Sequence, residues 1–216
     1  MKKLPVLLFI FLLAMACKND KTTGGTTIAQ NIAYKNGFEH WENVSEIQFT
    51  FNVDRDSAHF ERSWTWKPKS GDVVMMDQKD TVRYNRSQMD SLVQKTDAAF
   101  INDKYWLLAP FNLAWDEGTT FSEQPDVVSP ISKDTLNLLT MVYSGKGGYT
   151  PGDAYDFYYD DDFMIREWTY RRGNDSLPTV STTWEGYETF KNITISTMHK
   201  DGTGDFKLYF TNVSVK

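Results

Sequence analysis

Ala98-Ala99-Phe100-Ile101-Asn102-Asp103-Lys104-Tyr105-Trp106-Leu107-Leu108-Ala109-Pro110-Phe111-Asn112-Leu113 is the stretch on which the architecture turns. From Ser87 to Trp115 there is no turn dipeptide and no sustained alternation, so helix is expected here. Ser87 with Asp90 three positions on is a capping pattern, and Met89, Leu92 and Val93 fall on one helical face. The pattern predicts one or two helices that end before Pro110, which cannot continue a helix without losing a hydrogen bond. The second half is apolar nearly all round. A helix of that kind does not rest on a surface and is expected to be swallowed by its surroundings.

Those surroundings read as sheet. Upstream, Ile47, Phe49, Phe51 and Val53 alternate with Gln48, Thr50 and Asn52, the period of two of a strand with one wet face. His59–Lys67 places Phe60, Arg62, Trp64 and Trp66 on one side and Glu61, Ser63, Thr65 and Lys67 on the other. Turns at Lys69–Asp72 and Gln78–Asp80 lead into Val73–Asp77 and Thr81–Arg86, completing an antiparallel meander. Beyond Asp116-Glu117-Gly118, strand patterns return at Thr119–Glu123 (weakly), Asp134–Ser144, Ala154–Tyr159, Met164–Arg172, Thr179–Tyr187, Ile193–Lys200 and Phe206–Val215. About ten antiparallel strands laid flat would bare a large apolar face, so they must curl. The expected fold class is mainly β with embedded helices (α+β), a curved antiparallel sheet forming an incomplete β-barrel around a helical plug. No composition break divides residues 28–216, so one domain is expected there.

The first 27 residues read differently. Lys2 and Lys3 precede an uncharged run from Leu4 to Leu13, then Ala14-Met15-Ala16 and Cys17, the only cysteine of the chain. This is the layout of a secretory signal, and the run is too short to cross about 30 Å of hydrocarbon. Residues 1–16 are expected to be a lipoprotein signal peptide, with Cys17 the acylated residue. The alternatives are an ordinary signal that happens to carry a cysteine, or a retained membrane anchor. Residues 17–27, Gly/Thr-rich after Cys17, read as a tether whose reach is about 18 Å. Two or more acyl chains suffice to hold a protein at a membrane. The expected location is the bacterial cell envelope, lipid-anchored at the outer membrane, on its periplasmic or surface face.

Charge narrows the partners. The chain carries 23 basic and 29 acidic residues, a net of −6. Loss of Lys2 and Lys3 with the signal leaves 21 against 29, or −8. Such a chain has no basic footprint for nucleic acid. The three histidines, His40, His59 and His199, lie far apart in sequence and make no metal-binding spacing, and no Gly-x-Ser-x-Gly turn seats a nucleophile. Asp160-Asp161-Asp162 has the charge for a hard cation but not the alternating spacing of a calcium loop, and reads as a hairpin tip. Asp201–Asp205 bridges two strands and opens no helix, so it is a turn and not a phosphate loop. No catalytic residue, metal site or cofactor is predicted, and an enzyme is not expected.

The aromatics are the informative class, with seven Trp, eleven Tyr and fourteen Phe. Trp64, Trp66, Tyr84, Phe100, Trp106, Leu107, Phe111, Trp115, Trp168 and Tyr170 are candidates to line a cavity between sheet and helix; a filled core is the competing use of the same residues. Arg62 and Arg166 alternate in phase with aromatics on otherwise apolar strand faces. An inward Arg needs an acid or a ligand head group, so both are polar cavity candidates.

Asp80-Thr81-Val82-Arg83-Tyr84, Trp184-Glu185-Gly186-Tyr187 and Phe190-Lys191-Asn192-Ile193, taken with the order of elements, resemble the lipoprotein-carrier fold of the bacterial envelope, the LolA/LolB kind. Over residues 30–215 the chain is also similar to an uncharacterised family of bacterial envelope lipoproteins. The residues that carry this are Phe100–Leu108, Trp115–Thr119 and Gly147–Tyr155. The resemblance implies a half-barrel closed by helices and brings no assigned activity. Two readings stay open: a binder of a hydrophobic ligand (lipid, acyl chain or lipoprotein cargo), and a structural module that recognises another envelope protein. For the first, a fully inserted sixteen-carbon chain gains a gross ~12 kcal/mol at about 0.8 kcal/mol per methylene, much of it offset by ordering and association.

Overall fold

The computed structural model describes residues 26–146 and 149–216; the signal, Cys17, most of the tether and Gly147-Gly148 lie outside the described residues. Thr27 starts the fold by capping α1 (Ile28–Lys35): its hydroxyl accepts from the Gln30 amide, while the Gln30 side chain accepts from the Thr27 amide. A short 3₁₀ turn (Phe38–Asn43) then leads into β1 (Ile47–Arg55), β2 (Ala58–Lys67), β3 (Asp72–Met76) and β4 (Thr81–Asn85). Next comes α2 (Gln94–Trp115), then β5 (Thr119–Val128), β6 (Thr135–Tyr143), β7 (Ala154–Tyr159), β8 (Ile165–Arg171) and β9 (Val180–Thr183). The chain ends with β10 (Glu185–Phe190), β11 (Ile193–Lys200) and β12 (Phe206–Val215).

The strands form two runs, β10-β11-β12-β1-β2-β3-β4 and β5-β6-β7-β8-β9, and every pairing is antiparallel. The runs meet where β9 passes into β10 through Trp184, whose amide still extends the β8–β9 ladder by donating to the Arg166 carbonyl at 2.7 Å. The Lys200 amide, on β11, donates to the Thr183 hydroxyl on β9 at 3.1 Å. The result is one bent curtain with free edges at β4 and β5. It is an incomplete barrel around α2.

The helix fills the bend with two faces. Phe100, Leu107, Leu108 and Phe111 enter a core with Phe49, Phe51, Trp64, Trp66 and Phe210 of the longer run. Tyr105, Ala109 and Leu113 enter a second core with Met141, Tyr155, Phe157 and Trp168 of the shorter run, and Trp106 packs against both. Burying a large apolar side chain stabilises by about 1.5–3 kcal/mol, so the plug is a major part of the fold's stability.

Three sequence-based expectations are corrected. Ser87–Val93 is turn rather than capped helix: Asp90 turns its carboxylate onto the Leu92 and Val93 amides, and Leu92 is exposed. The helix does not end before Pro110. It breaks at Leu108 (φ −126°, ψ 23°), and Pro110 lies in the first turn of the continuing segment, where its missing N–H costs nothing. Thr179–Tyr187 is two strands divided at Trp184, and Gly186 (φ +62°) is an irregularity inside the second of them.

Candidate functional site

A cavity of about 860 Å³ runs along α2, bounded by β6, β7 and β8 and by the β1–β12 end of the longer run. Its size falls within the ~300–1,000 Å³ typical of ligand pockets. The wall is aromatic. Tyr155 stacks on Trp168 at 5.4 Å and on Tyr170 at 5.2 Å between ring centroids. Tyr105 lies 4.6 Å from Tyr155, and Trp106 meets Trp168 edge-on at 4.5 Å. The alternation of β7 and β8 places these rings on the concave face, and Tyr155 pairs with Tyr170 directly across the ladder.

Polar groups gather toward the two ends. The Tyr170 hydroxyl donates to Asp153 at 2.7 Å, and the Gly173 amide donates to the same carboxylate at 2.7 Å. The Tyr143 hydroxyl donates to Asp116, the residue that caps the C-terminus of α2. Burial pushes the phenols of Tyr105, Tyr143 and Tyr155 above their ordinary range, so they are donors and not anions. Burial likewise raises the Asp116 carboxyl, opposed by the Tyr143 hydrogen bond and by Lys104. Lys104 is 8% exposed and lines the cavity. Its Nζ lies 4.9 Å from the Trp115 ring and 5.7 Å from that of Trp66. Desolvation draws its pKa down to about 8, against the attraction of Asp116.

At the rim beside the α2 N-terminus, Asp97 is fully buried and collects the hydroxyls of Tyr84 and Tyr149 and the guanidinium of Arg86. The Tyr149 contact ties the β6–β7 connection across to the helix.

Of the cavity residues expected from sequence, Trp106, Trp168 and Tyr170 are brought together on this wall. Trp64, Trp66, Phe100, Leu107 and Phe111 are instead packed in the core of the longer run, and Trp115 rests against it. Tyr84 points its hydroxyl at Asp97. Arg62 turns inward but is taken by the buried Asp103, at 2.6 and 2.8 Å, while the Trp64 indole donates to the same carboxylate at 2.8 Å. Arg166 is half exposed and pairs with Asp160 at the hairpin tip. Asp160 also accepts from the Asp162 and Met164 amides, the geometry of a turn. Among the described residues no group of three or more His, Cys, Asp or Glu is placed to hold a metal, and no helix is long and apolar enough to cross a membrane.

A curtain with two free edges, bent around a two-faced helix, is also the arrangement of known structures. A LolA superfamily protein from Nitrosomonas europaea superimposes with a TM-score of 0.51 at 12% identity, over 88% of this chain and 94% of that one. The protein has a LolA-like fold. A DUF1329 family protein from Desulfovibrio piger is also similar, with a TM-score of 0.49 at 10% identity over 88% of this chain and 92% of that one. No family model and no curated protein matches the chain.

Within this LolA-like frame the residues that sequence reasoning did not single out are Lys104, Tyr105, Asn112, Asp116, Asp153 and Tyr155, all of them lining the cavity. One signal was available. Lys104 is a cation inside an apolar helical run, which raises the same question of a partner that the two strand arginines raise.

Proposed function

We propose that this protein is an envelope lipoprotein that holds a hydrophobic ligand (lipid, acyl chain or lipoprotein cargo) between its curved sheet and α2, and that lipid on Cys17 holds it at the membrane. The observation that carries the reading is the cavity of about 860 Å³ with its wall of Tyr105, Trp106, Tyr155, Trp168 and Tyr170. The half-buried rings of Trp106, Tyr143 and Tyr170 offer apolar surface, and the Tyr143 and Tyr170 hydroxyls are tied back to Asp116 and Asp153. That suits an alkyl chain better than a sugar or a nucleotide. The likeness to a LolA superfamily protein agrees with a carrier role. The reading is of binding.

The experiment is uptake of a fluorescent acyl probe by delipidated protein, together with mass spectrometry of organic extracts of the native protein. The expected result is saturable uptake that weakens in Trp106→Ala and is blocked in Ala98→Trp, which adds a ring at the cavity mouth without removing any packing. A delipidated protein that takes up no probe refutes the reading, and leaves the recognition of another envelope protein as the function to pursue.

A further inference from the structure

Lys104 has no hydrogen-bond acceptor and no ion-pair partner among the described residues, although it is more than nine-tenths buried. Asp116 is the acid that acts on it most strongly, but that carboxylate is taken up by the Tyr143 hydroxyl. A buried ammonium with three unused donors is costly unless something brings it a negative charge. Lys104 and the α2 cap Asp116 both line the cavity. The cavity therefore combines aromatic rings with a largely buried lysine that no carboxylate of the described residues pairs. Among its lining residues the cations Arg55, Arg86, Lys104, Lys146 and Arg172 outnumber the acids, which are Asp116, Glu117 and Asp153, although the chain as a whole is acidic.

We infer that the cavity selects an anionic single-chain amphiphile, a fatty-acid carboxylate, whose head is held by Lys104 while its alkyl chain lies along the half-buried rings of Trp106 and Tyr170. This rests on the reading of the cavity as an acyl site and adds the chemistry of the head group. A monoanion fits better than a phosphate dianion. The groups acting on Lys104 from neighbouring elements are Asp116, Asp97 and Arg86, and the Asp97 charge is already shared with Arg86, so the surroundings accommodate one added negative charge. Charge-assisted hydrogen bonds in a desolvated seat are roughly twice as strong as neutral ones, so the head group contributes measurably to affinity.

The test is displacement of a neutral naphthylamine probe from delipidated full-length protein by palmitate, hexadecanol and hexadecylamine at neutral pH. Palmitate is expected to compete about tenfold or more tightly than hexadecanol, with hexadecylamine the weakest, and Lys104→Met is expected to bring palmitate and hexadecanol within about twofold of each other. Lys104→Arg retains the preference. Equal competition by palmitate and hexadecanol in the unsubstituted protein overturns the head-group assignment while leaving the acyl cavity standing, and it needs no variant to fold. A preference that persists in a folded Lys104→Met protein overturns the role of Lys104. Failure of every amphiphile to displace a bound probe, or of the probe to bind, overturns the cavity reading and this inference with it.

Discussion

His199 sits at the bend of the curtain with no exposed surface, between the rings of Trp184 at 4.6 Å, Trp106 at 5.5 Å and Phe210 at 6.0 Å. Its Nδ1 lies 3.3 Å from the Thr183 carbonyl and its Nε2 has no partner. Burial among rings, with only one carbonyl to favour the cation, lowers its pKa from 6.5 to about 3. The unfolded chain takes up this proton below about pH 6.5 and the folded protein does not, so stability is lost as pH falls through that value. From about pH 7 to about pH 5 the loss from this one group is roughly 2 kcal/mol, at about 1.4 kcal/mol per pH unit once the unfolded imidazole is charged. Urea unfolding followed by tryptophan fluorescence at both pH values, for the protein and for His199→Gln, isolates that loss. Exposed histidines and surface carboxylates contribute equally to both proteins and cancel in the difference. The expected result is that His199→Gln has the flatter pH dependence by about 2 kcal/mol, whatever its stability at neutral pH. Identical pH dependences would refute the assignment of a neutral, proton-excluding core histidine.

Two further substitutions test the frame. Arg62→Met leaves the fully buried Asp103 with only the Trp64 indole and the Asn102 amide, and is expected to cost about 3–5 kcal/mol in urea unfolding. Adding Asp103→Asn should restore much of that loss if the uncompensated charge is its cause. Gly37→Ala forces a side chain onto a residue with φ of +89° and puts its Cβ 1.9 Å from the Asn192 carbonyl oxygen. It is expected to lower Tm by at least about 5 °C, a cost of more than about 2 kcal/mol, because the adjoining Asn36 carbonyl also accepts from the Thr194 amide and the corner cannot move freely.

The strands were the most legible part. Ile47, Phe49 and Phe51 are buried as their alternation requires, and Trp64 and Trp66 share the inner face of β2 with Arg62. The need of Arg62 for an acid could be read from the strand, but not its partner, because Asp103 arrives from α2, 41 residues along the chain. The β9–β10 corner is hidden because Trp184 looks like any other strand residue and even keeps a hydrogen bond to β8, the ladder neighbour of β9. Strand β5 was read too short. It runs on through Pro125 and a left-handed Asp126, residues that an edge strand tolerates and a central one does not. For the cavity, the sequence indicated aromatic content but not which rings would be consumed by packing. That division depends on which face of α2 meets which run of the sheet.

The same two-faced helix explains why an open space exists beside well-filled cores. Phe100, Leu107 and Phe111 spend their bulk on the longer run, and Ala109 and Leu113 close against the shorter one. Between them, the turn bearing the short Ala98 and the polar Asn102 lines the cavity together with Tyr155 and Tyr170. The cavity thus follows from residue size at a few positions of α2 and does not require a missing piece of core. Ala98 is solvent-exposed, and enlarging it should cost little stability while narrowing the space available to a ligand. Binding and folding can therefore be perturbed separately, with variants of Ala98 probing the first and variants of Phe100 and Phe111 the second.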